Sequence, residues 1–182
     1  RLTHYRVPLF EKLKDKLAKR NVDLRLLVGE GTEKERNKQD SGELFWAERT
    51  PTRYWMNDKI CWQPTYRYIR DADLVIVTQE NAQIVNQFLL LSPFRPKMAF
   101  WGHGVNFQSR KPNGFKERYK AWISRRVDWW FAYTTISTEA VIRAGFDQAR
   151  ITTLNNSVEI EGASRVGTPE FEAEGFRLMD RL

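Results

Sequence analysis

The residues from Val7 to Asn21, VPLFEKLKDKLAKRN, place Phe10, Leu13 and Leu17 at i, i+3 and i+7 and fill the other face with lysines. That period predicts an amphipathic helix. Pro8 suits its first turn and Asn21 its end. VDLRLLVG follows as a short apolar strand, and the polar residues 30–50 read as loop. RYWMNDKICW reads as a further strand and QPTYRYIRDA as a short helix. DLVIVTQ is the clearest strand in the chain, and NAQIVNQFLLLSPF is a helix stopped near Pro93. The strand KMAFWGHG comes next. FKERYKAWISRRV is then a helix with Phe115, Tyr119, Trp122 and Ile123 on one face. DWWFAYTTI predicts another strand. STEAVIRAGF predicts a helix capped by Ser137, with Glu139 close behind and Gly145 just past its end. ARITTLNN closes as a last strand, and Asn155-Asn156 read as a turn or cap.

Strands apolar on both faces, alternating with helices, predict an α/β fold: a Rossmann-like parallel sheet with helices on both faces. Ligands of such sheets bind outside the carboxyl ends of the strands. The apolar run Met98 to Trp101 ends in Gly102-His103-Gly104, so one of only two histidines falls just past a central strand. Gln79, Glu80 and Asn81 fall just past another.

Composition narrows the class. With 182 residues and 41% hydrophobic side chains, the chain is long and apolar enough for one globular domain with a sizeable core. No apolar run approaches the ~20 residues that span a bilayer. No signal peptide, repeat or low-complexity segment is visible. Cys61 is the only cysteine, which rules out an internal disulfide and points to a reducing, cytosolic setting. It reads as a core or loop thiol. One Cys and two His speak against a structural zinc site. The net charge of +7 is concentrated: Arg110 to Arg126 holds seven basic residues and one acid, which is +6 of that total.

Taken in order, HYRVPLFEKL, DLVIVTQEN, FWGHGVNFQ, DWWFAYTT, EAVIRAGF and ITTLNNSVE resemble the N-terminal, acceptor-side half of GT-B fold glycosyltransferases of family 4 (group 1), from Thr3 to about Glu159. The resemblance implies a Rossmann-like domain over residues 1–160 and a hinge or tail segment over 161–182. It places a first strand and glycine-bearing turn before Tyr5-Arg6, and a second, nucleotide-sugar-binding domain after Glu159. Only about two dozen residues follow that point, so the chain alone is expected to transfer no sugar. The implied activity of the whole enzyme is retaining transfer of a sugar (hexosyltransferase type) from a nucleotide-sugar donor to the hydroxyl of an acceptor glycan or lipid-linked acceptor. No cofactor or divalent metal is implied.

The resemblance makes His103 the residue at the reaction centre, where a neutral imidazole offers one donor and one acceptor to sugar hydroxyls. The plainer reading is a loop histidine bonded to backbone. Tyr5 and Arg6 open the first helix and face the acceptor cleft of the resembled family; an arginine there can hold phosphate or carboxylate. Otherwise they are a packed tyrosine and a surface arginine. Gln79 and Asn81 are candidates for acceptor hydroxyls, or else cap and loop residues; Glu80 is given no catalytic role. Gly102, Gly104 and Asn106 complete the substrate-binding set. Lys116, Arg118, Lys120, Arg125 and Arg126, interleaved with Trp122, read either as a solvated basic face or as a peripheral contact with an anionic membrane. The alternative function is a non-enzymatic α/β binding module that uses this basic face for membrane or nucleic acid. No nucleic-acid-binding motif accompanies the stripe.

Overall fold

The computed structural model describes residues 1–104, 119 and 122–155. Its centre is a four-stranded sheet of β5 (Leu74–Thr78), β6 (Lys97–Gly102), β7 (Trp129–Ala132) and β8 (Ile151–Thr153), in that spatial order. All three ladders are parallel, with Val77 opposite Phe100, Phe100 opposite Trp130, and Trp130 opposite Ile151. The fold is a Rossmann-like α/β arrangement, as the alternation of apolar strands and helices predicts.

Side chains that alternate along these strands divide between two cores. On one face Met98, Phe100 and Trp130 pack with Val85, Leu89 and Leu90 of α3 (Ile84–Leu91), with Ile123 and Val127, and with Val141 of α4 (Thr135–Arg143). Met98 and Trp130 are fully buried. Truncating such a residue to Ala costs ~2–5 kcal/mol through lost burial and the cavity left behind. On the other face Trp101 meets the smaller cluster of Leu2, Phe10 and Leu44. There the Phe10 ring of α1 (Val7–Ala18) lies edge-on to Trp101 at 6.0 Å. Helices therefore cover both faces.

One carboxylate fixes where β6 and β7 begin. Asp128 Oδ2 accepts from the Met98 N–H at 2.8 Å and from Arg95 Nη1 at 2.5 Å, while the Asp128 N–H donates to the Met98 carbonyl at 2.8 Å. Burial raises the cost of its charge, but the Arg95 and Met98 donors outweigh that and hold its pKa below the ordinary aspartate value.

Several local expectations change. The strand read in VDLRLLVG shrinks to β1 (Leu27–Val28), paired in parallel with β2 (Glu48–Arg49). The predicted loop over 30–50 contains that second strand and a short helix, α2 (Glu33–Arg36). The helix is set by a capping box: Thr32 Oγ1 accepts from the Glu35 N–H, and Glu35 Oε2 accepts from the Thr32 N–H at 2.9 Å. RYWMNDKICW is not one strand but an antiparallel hairpin of β3 (Arg53–Trp55) and β4 (Ile60–Trp62). It reverses through Met56, Asn57 and Asp58, all at positive φ. The short helix expected in QPTYRYIRDA is a single 3-10 turn, Tyr66–Tyr68. The helix after β7 is capped by Thr134, not Ser137: Thr134 Oγ1 accepts from the Ser137 N–H at 3.2 Å.

Candidate functional site at the carboxyl edge of the sheet

His103 follows β6 directly, and Tyr133 follows β7 directly. Adjacent parallel strands that end level bring them side by side. The two rings meet edge-on at 4.6 Å, and His103 Nδ1 lies 3.4 Å from Ser137 Oγ in the first turn of α4. Ser137 is fully buried, and its hydroxyl also contacts Thr134 Oγ1 at 3.1 Å. His103 is thus an exposed imidazole steadied by a buried ring and a buried hydroxyl.

Tyr133 joins this histidine to α1. Its hydroxyl accepts from Arg6 Nη2 at 3.2 Å, and its ring is edge-on to Trp101 at 6.3 Å. The Arg6 guanidinium carbon lies 5.7 Å from the Trp101 ring centroid and 5.8 Å from that of Tyr5. Arg6 is the N-cap of α1, a position without a side-chain cap bond, and the first turn of that helix carries no acid. The structure therefore links Arg6, beside Tyr5, to His103, 97 positions away in the chain, through the shared neighbour Tyr133. Tyr133 and Trp101 hold them there. Sequence reasoning passed over Tyr133, although the rule that singles out His103, first residue past a central strand, applies to it equally.

Gln79 and Asn81 lie elsewhere. The Gln79 amide donates to Ser124 Oγ, on the face packed by Ile123 and Val127, and its Oε1 is buried without a hydrogen-bond partner. With polar Asn86 and Gln87 and apolar Leu90, Phe100 and Ile123, these two line a small cavity of about 10 Å³. That is room for about one water. The Asn81 carbonyl accepts from Gln87 Nε2 at 2.7 Å. The cavity and the Arg6–Tyr133–His103 cluster meet through the sheet, where Thr78 of the cavity wall lies opposite Trp101.

The two glycines around His103 differ. Gly104 sits at φ +77°, and a Cβ there would strike Val141 Cγ2 and lie 3.5 Å from the Ser137 carbonyl. Close packing against α4 accounts for that glycine with no ligand involved. Gly102 has no such conflict: a Cβ would meet only Gln79, at 3.9 Å. Asn106, Lys116, Arg118 and Lys120 lie outside the described residues, as do Phe115, Asn156 and the segment 161–182. Arg125 and Arg126 are exposed. Arg126 lies over the Trp122 ring at 3.9 Å, while Tyr119 packs toward the core and donates its hydroxyl to Gln87 Oε1 at 2.6 Å. The aromatic stripe thus divides, with Tyr119 and Ile123 inward and Trp122 at the surface under an arginine.

Cys61 is buried, and burial pushes its thiol pKa up, away from reactive thiolate. Among the described residues no group of three or more His, Cys, Asp or Glu is placed to hold a metal, and no helix is long and apolar enough to cross a membrane. The one Asp-x-Asp of the described chain, Asp71-Ala72-Asp73, precedes β5 at the amino end of the sheet, and Asp71 pairs with Arg25 at 2.7 Å. No family model matches the sequence, and no curated protein matches it significantly.

Proposed function

We propose that this chain is the acceptor-side domain of a retaining glycosyltransferase, part of an enzyme that moves a sugar from a nucleotide-sugar to an acceptor hydroxyl. The observation that carries the reading is the placement of His103. It stands past the carboxyl end of a central parallel strand, where ligands of such sheets bind, oriented by Ser137 and by Tyr133, whose hydroxyl also holds the Arg6 guanidinium. The ordered motifs from HYRVPLFEKL to ITTLNNSVE support the same assignment. In this reading His103 contacts hydroxyls of the sugar being transferred, and Tyr5 and Arg6 border the acceptor. The donor nucleotide belongs to a partner domain. That domain's helix N-terminus and basic side chains neutralise the departing diphosphate.

The test is His103→Ala in a protein that carries this chain together with a nucleotide-sugar-binding domain. Turnover should fall by ~10²-fold or more, the scale of one lost transition-state contact, while the folded state persists, because the His103 ring is exposed. Near-normal turnover would remove His103 from the reaction centre. It would also favour the alternative, a binding module without chemistry at this edge.

A further inference from the structure

Arg6 is half-buried, lies against two aromatic rings, and has neutral tyrosine hydroxyls as its polar partners among the described residues, Tyr133 at 3.2 Å and Tyr5 beside it. The two most buried arginines that form ion pairs among the described residues each face an aspartate: Arg1 with Asp40 and Arg95 with Asp128. Among the described residues no carboxylate pairs with Arg6. A guanidinium keeps its charge at any ordinary pH. Burial works against that charge, and the two rings and the tyrosine hydroxyls offset it in place of an anion. Its neighbours add donors, not acids. Trp101 has its indole N–H buried without an acceptor, and Tyr133 and Ser137 carry neutral hydroxyls. Among the described contacts the cluster is donor-rich and holds no acid, and it ends at His103.

We propose that Arg6, fixed by Tyr133 and Trp101, is an oxyanion subsite, and that the acceptor of this domain carries a phosphate or carboxylate near the hydroxyl it presents. This deepens the reading of the carboxyl edge as an acceptor site and rests on it. The planar guanidinium fork matches either oxyanion with two parallel N–H···O bonds. Tyr133 and Tyr5 engage part of the five N–H groups and leave the rest for the ligand. The tyrosine also ties the anion site to the histidine, since its ring rests on His103. An anionic group held at Arg6 would set the adjacent hydroxyl of the same molecule in register with His103.

The experiment is isothermal titration of the full chain with methyl phosphate, inorganic phosphate and acetate in ~0.15 M salt, where an exposed surface cation is screened beyond about 8 Å. Saturable binding of at least one oxyanion is expected. Arg6→Gln should weaken it by at least about tenfold, the scale of a charge-assisted hydrogen bond in a partly desolvated site. Arg6→Lys should retain part of it, and Tyr133→Phe should weaken it less than Arg6→Gln because the charge remains. The methyl phosphate and acetate arms tell a phosphorylated acceptor from a carboxylated one. Circular dichroism of each variant confirms that it is folded; if Arg6→Gln does not fold, the Arg6→Lys and Tyr133→Phe affinities must still fall below wild type. Binding unchanged by the Arg6 substitutions, or none for all three anions, overturns the proposal. Anion binding without any sugar transfer by the two-domain enzyme would leave the subsite standing and sink the transferase reading. Transfer without anion binding would do the reverse.

Discussion

Replacing each glycine of Gly102-His103-Gly104 by alanine should give opposite results within three residues. At Gly104 two costs add. The backbone is left-handed, at φ +77°, which costs an L-residue ~1–2 kcal/mol. The new Cβ also meets Val141 Cγ2, and Val141 cannot give way easily because it is 1% exposed within the main core. Overpacking of that kind costs ~1–3 kcal/mol. The sum, ~2–5 kcal/mol, corresponds to a melting temperature lowered by ~4–20 °C at ~2–4 °C per kcal/mol for a chain of this size. At Gly102 the backbone is an ordinary strand and the nearest atom to a new Cβ is 3.9 Å away, so Gly102→Ala should be neutral or slightly stabilising. Thermal melts of the two variants by circular dichroism check this. Equal losses, or a larger loss at Gly102, would refute the packing of β6 against α4 and with it the placement of His103.

The remaining predictions concern the supports around this edge. Thr134→Ala should cost ~1 kcal/mol by removing the cap on the Ser137 N–H, read from denaturant midpoints; no loss would return the cap to Ser137. Asp128 has its pKa depressed in the folded state, so its contribution is present above the unfolded value of ~3.9 and lost as pH falls through the folded one. The stability difference between wild type and Asp128→Asn should therefore shrink as pH is lowered from 5 toward 2. A difference that grows over that range would contradict the Arg95–Asp128–Met98 arrangement.

The parallel sheet was legible because β5, β6 and β7 carry near-continuous apolar runs such as LVIV and MAFW; in β6 and β7 both faces are covered, whereas the edge strand β5 leaves Leu74 and Ile76 exposed. Length decided the shorter pieces less well. β1 and β2 have two residues each, too few for any period to show. The hairpin was hidden because its reversal uses Met56, Asn57 and Asp58 at positive φ without a glycine to mark it. The sequence Thr32-Glu33-Lys34-Glu35 did carry a capping-box signature for α2, and the polar surroundings masked it. At the next cap, four hydroxyl residues among five (Thr134, Thr135, Ser137 and Thr138) leave the choice to tertiary contacts. The candidate site divides similarly. Strand ends pointed to His103, but only the register of β6 beside β7 shows that Tyr133 stands beside it, and only the tertiary packing shows that Arg6 reaches Tyr133. Gln79 occupies an equivalent strand end, yet its side chain turns to the opposite face of the sheet, toward Ser124. Which side a residue one past a strand takes depends on alternation along the strand, and one residue of register decides it.

Sugar transfer itself tests the central claim most directly. A protein that contains this chain and a nucleotide-sugar-binding domain should be given a panel of nucleotide-sugars with acceptors that carry a free hydroxyl, and the product's anomeric configuration read by NMR. The account predicts transfer with retention of configuration, lost in the His103→Ala variant. No transfer from any donor, or transfer with inversion, would contradict it.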